Sequence, residues 1–131
     1  MAYLLDTHAA IWVVTDDHRL GDSARQLLVH ASPDKLIISD CTLTEFARLQ
    51  TSGKLRFNGD PLDIIEMFTQ RFEVQPVTPW IALRSASYDW THRDPMDRNI
   101  LATAEFRQIP LVTIDREITP FAATIGVKTI W

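Results

Sequence analysis

The chain has 131 residues, and this length predicts one domain, residues 1–131, that can bury a sizeable core. Its single cysteine, Cys41, excludes an internal disulfide framework, and no stretch reaches the roughly 20 apolar residues of a membrane span, so we expect a protein of the reducing cytoplasm with no membrane partner. The formal net charge of -4 argues against nucleic-acid binding by bulk positive charge, but it is compatible with an enzyme whose acidic site is neutralised by cations.

The first half of the chain predicts strands that alternate with helices. Residues 2–5 form a short apolar run that is typical of a buried strand, and residues 7–15 follow as a helix. A second helix is predicted over residues 22–31, and a second buried strand over residues 35–39. The next helix covers residues 40–53 and stops near a glycine.

The second half of the chain continues this alternation. Asp60 is suited to cap a helix, and Pro61 suits its first position, where a missing N–H costs nothing. Asp94 and Pro95 give the same start to a later helix. The predicted elements of this half are a helix at 60–72, at most an extended segment at 73–77, helices at 79–90 and 94–108, and strands at 110–114 and 127–131.

Three aspartates are predicted to meet at one edge of the sheet. Buried strands that alternate with helices imply a parallel sheet covered on both faces, and ligands of such sheets gather at the carboxyl ends of the strands. Asp6 directly follows the first strand, and Asp115 directly follows the strand at 110–114. Asp97 lies in the first turn of the helix that leads into that later strand. Because this helix runs antiparallel to the strand, it starts at the strand's carboxyl end, so the three acids should converge.

Each of these acids also has an interpretation without a catalytic role. Asp6 and Asp94 could cap helices, Asp115 could start a turn, and the helix dipole favours a surface acid at Asp97. Carboxylates that converge without a cation would repel one another, however, so convergence favours a divalent metal. The chain has no zinc-type cluster of Cys and His, which favours Mg²⁺ or Mn²⁺. His92 lies beside these acids and is expected to be a polar loop residue.

The chain contains, in this order, the segments LLDTHAAIW, TLTEFARLQTSGKL, HRDPMDRNILATA and LVTID. Together they resemble the PIN-domain family, and within it the VapC-type toxins of bacterial toxin–antitoxin pairs. The resemblance extends from residue 3 to the C-terminus. It implies a three-layer α/β fold with a central parallel sheet of four or five strands and helices on both faces. It also implies acidic residues that bind Mg²⁺ or Mn²⁺ and an enzyme that cuts RNA.

The resemblance assigns site residues by motif. The catalytic residues are expected to be Asp6, Glu45, Asp97 and Asp115, with Asp6, Asp97 and Asp115 as metal ligands. The helical pattern alone favours a solvated Glu45, and it is the resemblance that moves this residue into the site as a ligand or a base that orients water. Asp94, Thr7 and Thr113 are candidates to support the ligands. The cations expected to hold the RNA backbone are Arg93, Arg98, Arg116 and Arg48.

The implied activity is that of a Mg²⁺-dependent endoribonuclease, with Mn²⁺ as an alternative cation, acting as the toxin of a type II toxin–antitoxin pair. The implied partners are an RNA substrate, a cognate antitoxin whose tail blocks the site, and a second copy of the chain in a homodimer. Met96 stands where the family commonly has Phe, and Thr44 stands where many relatives have an aromatic residue. These departures remove no carboxylate, so they bear on substrate preference.

Other classes of function stay open from the residues alone. A signalling module similar to a receiver domain would also gather acids and Mg²⁺, but the second strand ends in Ser39 and Asp40 without a fitting Thr and Lys set. A non-catalytic interaction protein with a decayed site is a second alternative, and the four matching acids argue against it. A third is another metal-dependent phosphohydrolase, such as a phosphatase or a DNA-directed nuclease.

Overall fold

A parallel sheet of five strands forms the centre of the computed structural model, which describes residues 1–131. In chain order the strands are β1 (Tyr3–Leu5), β2 (Leu36–Ser39), β3 (Glu73–Gln75), β4 (Leu111–Val112) and β5 (Thr129–Ile130). Their spatial order is β3-β2-β1-β4-β5, and every neighbouring pair is parallel. The predicted α/β fold with four or five parallel strands is confirmed.

Seven helices connect and cover the strands. They are α1 (Thr7–Thr15), α2 (Asp22–Leu28), α3 (Asp40–Thr51), α4 (Pro61–Thr69), α5 (Pro79–Ser87), α6 (Pro95–Arg107) and α7 (Ile118–Thr124). None of them combines the length and the apolar composition that crossing a membrane requires. The sequence patterns did not predict α7, a seven-residue helix that has no side-chain hydrogen bond at its N-cap.

Three helices end three residues earlier than their patterns predict: α2 at Leu28, α4 at Thr69 and α5 at Ser87. Val29 after helix α2 still has helical dihedral angles, and the chain then leads into the 3-10 turn that Pro33 opens. Helix α5 ends at Ser87, because Tyr88 turns to an extended conformation with φ -57° and ψ 126°. This change of direction creates the loop 88–94, which leads into α6.

Alternating strand residues divide the core into two layers. Leu4, Ile37 and Leu111 point to one face of the sheet, where they pack with buried residues of α5, α6 and α7. Leu5 and Ile38 point to the other face, where they pack with residues of α1, α2, α3 and α4. This arrangement follows from the two-residue period of a strand, because both faces of a covered parallel sheet must be apolar.

The strand order places a switch point at the centre of the sheet. Strand β1 pairs with β2 on one side and with β4 on the other, so the connections that leave β1 and β4 diverge. Crevices at such switch points are where parallel α/β sheets bind ligands. The caps of two helices lie in this region: the Asp6 carboxylate accepts from the Ala9 N–H, and the Asp94 carboxylate accepts from the Met96 N–H.

Arg98 ties the loop 88–94 to helix α6. It is buried, and its Nε donates to the Ser85 carbonyl at 3.0 Å. Its Nη1 donates to the carbonyls of Trp90 and His92, both at 3.2 Å, and its Nη2 donates to the carbonyl of Tyr88. One side chain thus donates to three carbonyls of the loop 88–94 and to one in the last turn of α5, which satisfies main-chain acceptors that no secondary structure satisfies.

Replacing Arg98 by Met should destabilise the fold strongly. The variant loses these hydrogen bonds and leaves buried carbonyls without donors, so we expect the free energy of unfolding to fall by about 3 kcal/mol or more. Arg98→Lys should recover only part of this loss, because an ammonium group lacks the planar fork of donors. Urea unfolding measures the effect.

Arg93→Met, at an exposed position in the same loop, is the control, and its free energy of unfolding should stay within about 0.5 kcal/mol of the parent. Equal losses for Arg98→Met and Arg93→Met would contradict this role of Arg98.

Candidate active site

An acidic cavity of about 480 Å³ opens at the carboxyl edge of the sheet. Its carboxylates come from four parts of the fold: the end of β1, helix α3, the start of helix α6 and the segment after β4. They are Asp6, Glu45, Asp94, Asp97 and Asp115. The convergence of Asp6, Asp97 and Asp115 that the chain order predicts is therefore present in the structure, and two further acids join it.

Asp6 is the most deeply buried of these acids. Its side chain accepts hydrogen bonds from the Ala9 N–H at 2.8 Å and from the Thr113 hydroxyl at 2.5 Å. Burial raises its pKa from 3.8 to about 6, although the hydrogen bonds from Thr113 and Ala9 and the nearby charge of His8 act in the opposite direction. The charge of Asp97 raises this pKa further. The fold thus holds an anion in a place where solvent does not stabilise its charge.

Asp97 lies in the first turn of α6 and faces the imidazole of His92. The distance from His92 Nε2 to Asp97 Oδ2 is 2.7 Å, and both side chains are about four-fifths buried. Burial raises the pKa of Asp97, the hydrogen bond from His92 lowers it, and the charges of Asp94 and Asp115 raise it. The hydrogen bond to Asp97 in turn raises the pKa of His92. Since Arg98 holds the carbonyl of His92, the buried guanidinium also fixes the backbone that carries this imidazole.

Two threonines make hydrogen bonds with Glu45, Asp6 and Asp115. The Thr7 hydroxyl donates to Glu45 Oε2 at 2.5 Å, so Glu45 is directed into the cavity and not toward bulk solvent. The Thr113 hydroxyl donates to Asp6, and its oxygen accepts the N–H of Asp115 at 3.0 Å. Thr7 and Thr113 are both buried. Both hydroxyls thus contact acids of the cavity, and their support of metal ligands stays a prediction.

The arginines expected to contact RNA are arranged differently from the prediction. Arg98 is buried and its guanidinium is occupied by main-chain carbonyls, so its predicted contact with RNA is wrong. Arg93, Arg116 and Arg48 are exposed, but none of them lines the acidic cavity. The cation that does line it is Arg19, which the sequence analysis did not single out.

Sequence reasoning also missed two neighbours of the acids on helix α1. His8 and Trp12 line the cavity, and they are four residues apart on one face of α1. That spacing behind Asp6 was a signal that could have identified them. His92 was expected beside the acids as a polar loop residue, but its hydrogen bond with Asp97 depends on the loop conformation that Arg98 holds, which no local pattern predicts.

The donor set of the cavity fits a hard divalent cation. Its five acids supply only oxygen donors, and one nitrogen of His92 lies within 4.8 Å of carboxylate oxygens of Asp94 and Asp97. Carboxylate oxygens are the donors that Mg²⁺ and Mn²⁺ prefer. Burial, and to a smaller extent the neighbouring charges, raise the pKa values of Asp6 and Asp97, and a bound cation would offset both effects.

Comparisons with known proteins identify relatives across nearly the whole chain. Ribonuclease VapC22 of Mycobacterium tuberculosis is 29% identical over 116 residues, which is 88% of each chain. A chain in the DNA-bound VapBC structure from Salmonella typhimurium superimposes with a TM-score of 0.71 at 22% identity, covering 99% of this chain and 97% of that one. VapC20 of Mycobacterium tuberculosis, described as a sarcin-ricin loop cleaving toxin, gives a TM-score of 0.64 at 18% identity, with 96% of each chain covered.

At these identities the structural likeness demonstrates a shared fold, and the family assignment rests on the sequence profile. The profile of the PIN domain matches residues 3–123, a range that contains all five acids of the cavity. It also spans four of the five strands and every helix except the last residue of α7. The chain therefore belongs to the PIN domain family.

Proposed function

We propose that this protein is a metal-dependent endoribonuclease and the toxin of a VapBC-type toxin–antitoxin pair. The observation that carries the proposal is the convergence of carboxylates from separate elements in one cavity at the switch point of the sheet. Carboxylates repel the negative charge of a phosphodiester, so these acids can act on one only when bound cations offset their own charge. Membership of the PIN domain family and the names of the relatives, a ribonuclease and a sarcin-ricin loop cleaving toxin, support the same activity.

The cation proposed for the site is Mg²⁺, with Mn²⁺ as the alternative. Asp6, Asp97 and Asp115 would hold it, because all three present carboxylates to the same cavity. When bound, a divalent cation supplies Lewis acidity that lowers the pKa of a coordinated water and stabilises negative charge on the phosphate. Glu45 is the remaining carboxylate on the α3 side, held by Thr7, and it serves as a ligand or as the base that orients the attacking water.

Residues of the chain also determine how rigid this site is. His92 holds one oxygen of Asp97, and Thr113 holds one oxygen of Asp6, so each of these acids keeps a defined orientation. Hydrogen bonds of this kind orient metal ligands and typically change metal affinity or activity by about 10- to 100-fold when removed. Asp94 caps α6 through the Met96 N–H and lies at the exposed rim of the cavity, where it supports the ligands without being buried with them.

The proposed protein partners are a cognate antitoxin and a second copy of the chain. Several structural neighbours are toxin–antitoxin complexes, including those from Klebsiella pneumoniae and Salmonella typhimurium. An antitoxin segment that reaches the acidic cavity would inhibit cleavage by occupying it. Co-expression tests this part of the proposal: the chain alone should arrest growth, and the antitoxin encoded beside it should restore growth.

An assay with three substrates separates the proposed activity from its alternatives. Protein loaded with Mg²⁺ should cleave RNA internally, while leaving DNA and a phosphate monoester intact. Hydrolysis of the monoester would indicate a phosphatase, and cleavage of DNA would indicate a different nuclease. Transfer of phosphate from a small phosphodonor to the protein, without cleavage of any substrate, would indicate a signalling module.

Asp97→Asn should abolish cleavage while leaving the fold intact. The amide keeps the size of the side chain but removes a negative charge from the proposed metal site, so we expect the rate to fall on the order of 100-fold or more. Initial rates of RNA cleavage measure this loss, and the melting temperature tests the fold.

The chain supplies a matched control for this substitution. Asp63 is the third residue of α4, after Asp60 as N-cap and Pro61 at the first position, just as Asp97 follows Asp94 and Pro95 in α6. Asp63 is exposed and does not line the cavity. Asp63→Asn should therefore cleave RNA at the parent rate. If Asp97→Asn also did so, the assignment of the site would be wrong.

The burial of Asp6 predicts a pH-dependent stability in metal-free buffer. The pKa of Asp6 is about 6 in the folded protein, whereas an unfolded chain has the ordinary value of 3.8. The folded protein therefore binds this proton more tightly than the unfolded chain does. The contribution of Asp6 to stability is therefore lost as pH rises from about 4 to about 6. Asp6→Asn, which can still cap α1, should match the parent near pH 4 and exceed its free energy of unfolding by about 3 kcal/mol above pH 7.

Denaturant unfolding of Asp6→Asn and parent in the presence of a chelator, at several pH values, measures this difference. Addition of Mg²⁺ at neutral pH should stabilise the parent more than the variant, because the variant lacks a proposed ligand. Parallel pH profiles of the two proteins would show that Asp6 is not a destabilised anion.

A further inference from the structure

A second depression adjoins the acidic cavity and differs from it in charge. It has a volume of about 380 Å³ and lies between helix α1 and the segment that follows α3. We call it the basic groove, and its walls include His8, Trp12, Arg19, Lys54, Arg56 and Phe57. Three of these residues, His8, Trp12 and Arg19, also line the acidic cavity, so the two depressions are continuous.

The groove carries an excess of positive charge in a protein whose formal net charge is -4. Its cations are Arg19, Lys54 and Arg56, and its one acid is Asp17. Arg19 pairs with Asp17 through Nε and Nη2, at 3.0 and 2.8 Å, so this arginine is held in place. Lys54 and Arg56 are exposed and take part in none of the ion pairs of the structure. Arg56 Nε donates to the Gly53 carbonyl at 3.2 Å, but no carboxylate pairs with Lys54 or Arg56, so both charges are available to an anionic ligand beside the acidic cavity.

Aromatic side chains line the groove between these cations. The guanidinium of Arg19 lies 4.9 Å from the ring centre of Trp12, and the ring of His8 lies 5.7 Å from the same indole. Phe57 is 38% exposed, and its buried side stacks on Phe46 with ring centres 6.0 Å apart. Trp12 is partly exposed and Phe57 is exposed, and each packs against a neighbouring ring, so both offer aromatic surface to a planar group.

We propose that the basic groove binds single-stranded RNA on one side of the phosphate that is cut. This inference rests on the proposed function and names the path of its substrate. The five carboxylates of the acidic cavity repel the neighbouring phosphates of the strand, and Lys54 and Arg56 offset this repulsion next to the cavity. Single strands combine phosphate contacts with bases stacked on aromatic rings, whereas the bases of a duplex are stacked on each other. A groove with both features is suited to an unpaired strand.

Charge neutralisation in the groove should weaken RNA binding in a characteristic way. We expect Lys54→Gln combined with Arg56→Gln to raise the Kd for a labelled single-stranded RNA and to reduce its dependence on salt. For two lost phosphate contacts, the slope of log Kd against log salt concentration should fall by about 1.4, since each contact on a single strand contributes roughly 0.7. Fluorescence anisotropy in the Asp97→Asn background measures both quantities without cleavage.

A pair of cations at the opposite edge of the sheet provides the control. Lys35 immediately precedes β2, and Lys128 immediately precedes β5, so both lie at the amino ends of strands. Lys35→Gln combined with Lys128→Gln changes the net charge by the same amount as the groove variant. It should leave the Kd and the salt slope as they are in the Asp97→Asn protein, which separates a local contact from a general charge effect.

Loss of an aromatic side chain from the groove should change the Kd for RNA without changing its dependence on salt. Trp12→Leu should raise the Kd for RNA by roughly 10-fold, because stacking of one base is lost, while leaving the salt slope unchanged. Trp12 also packs on Trp131, with ring centres 5.6 Å apart, so the melting temperature of this variant must be measured. The charge variant tests the groove independently, because Lys54 and Arg56 are exposed.

The outcomes distinguish this inference from the function on which it rests. If the parent protein cleaves RNA but the groove variant keeps the Kd and salt slope of the control, RNA does not pass through the groove. If RNA binding is unchanged and binding of the antitoxin is lost instead, the groove is a protein-binding site and the inference is wrong. If the parent cleaves no RNA at all, the proposed function itself fails.

Discussion

Burial of carboxylate charge in the acidic cavity, with mutual repulsion added to it, is the constraint to which the surrounding structure responds. Asp6 is buried next to Asp97, and its pKa of about 6 reflects the cost of ionising it there. The neighbouring side chains reduce this cost without removing the charge: Thr113 donates to Asp6, Thr7 donates to Glu45, and His92 contacts Asp97. A protein selected for stability alone could replace such an acid with an amide. The retention of the charge is physically consistent with a site that gains its stability from a bound cation.

Two helices of this chain start with the same local chemistry and have different surroundings. Asp60, Pro61 and Asp63 begin α4 in the way that Asp94, Pro95 and Asp97 begin α6: cap, first position and third position. The caps accept the same type of main-chain hydrogen bond, from Leu62 N–H in one helix and from Met96 N–H in the other. Only the start of α6 lies beside the ends of β1 and β4. The local motif therefore builds a helix start, and the topology of the sheet makes its third residue part of a site.

This difference explains how far the sequence could predict the molecule. Strands, most helices and the convergence of Asp6, Asp97 and Asp115 follow from local patterns and from the direction of parallel connections. The short helix α7 lacks a capping signal, and the early end of α5 depends on a distant side chain, so neither could be predicted locally. Arg98 was misjudged for the same reason: a sequence shows a charge beside acids, whereas only the folded loop shows that main-chain carbonyls surround the guanidinium.

The partners of Arg98 have a consequence for how this family member can diversify. The guanidinium binds main-chain oxygens of the loop 88–94, and every residue type carries such an oxygen. Asp89 and Thr91 are exposed positions within that loop, so exchanging their side chains leaves the anchoring bonds in place. Mutational drift can thus alter the outer surface beside the cavity while the imidazole of His92 keeps its position. An internal anchor that binds only main-chain atoms allows new surface chemistry to be tried without rebuilding the centre beside it.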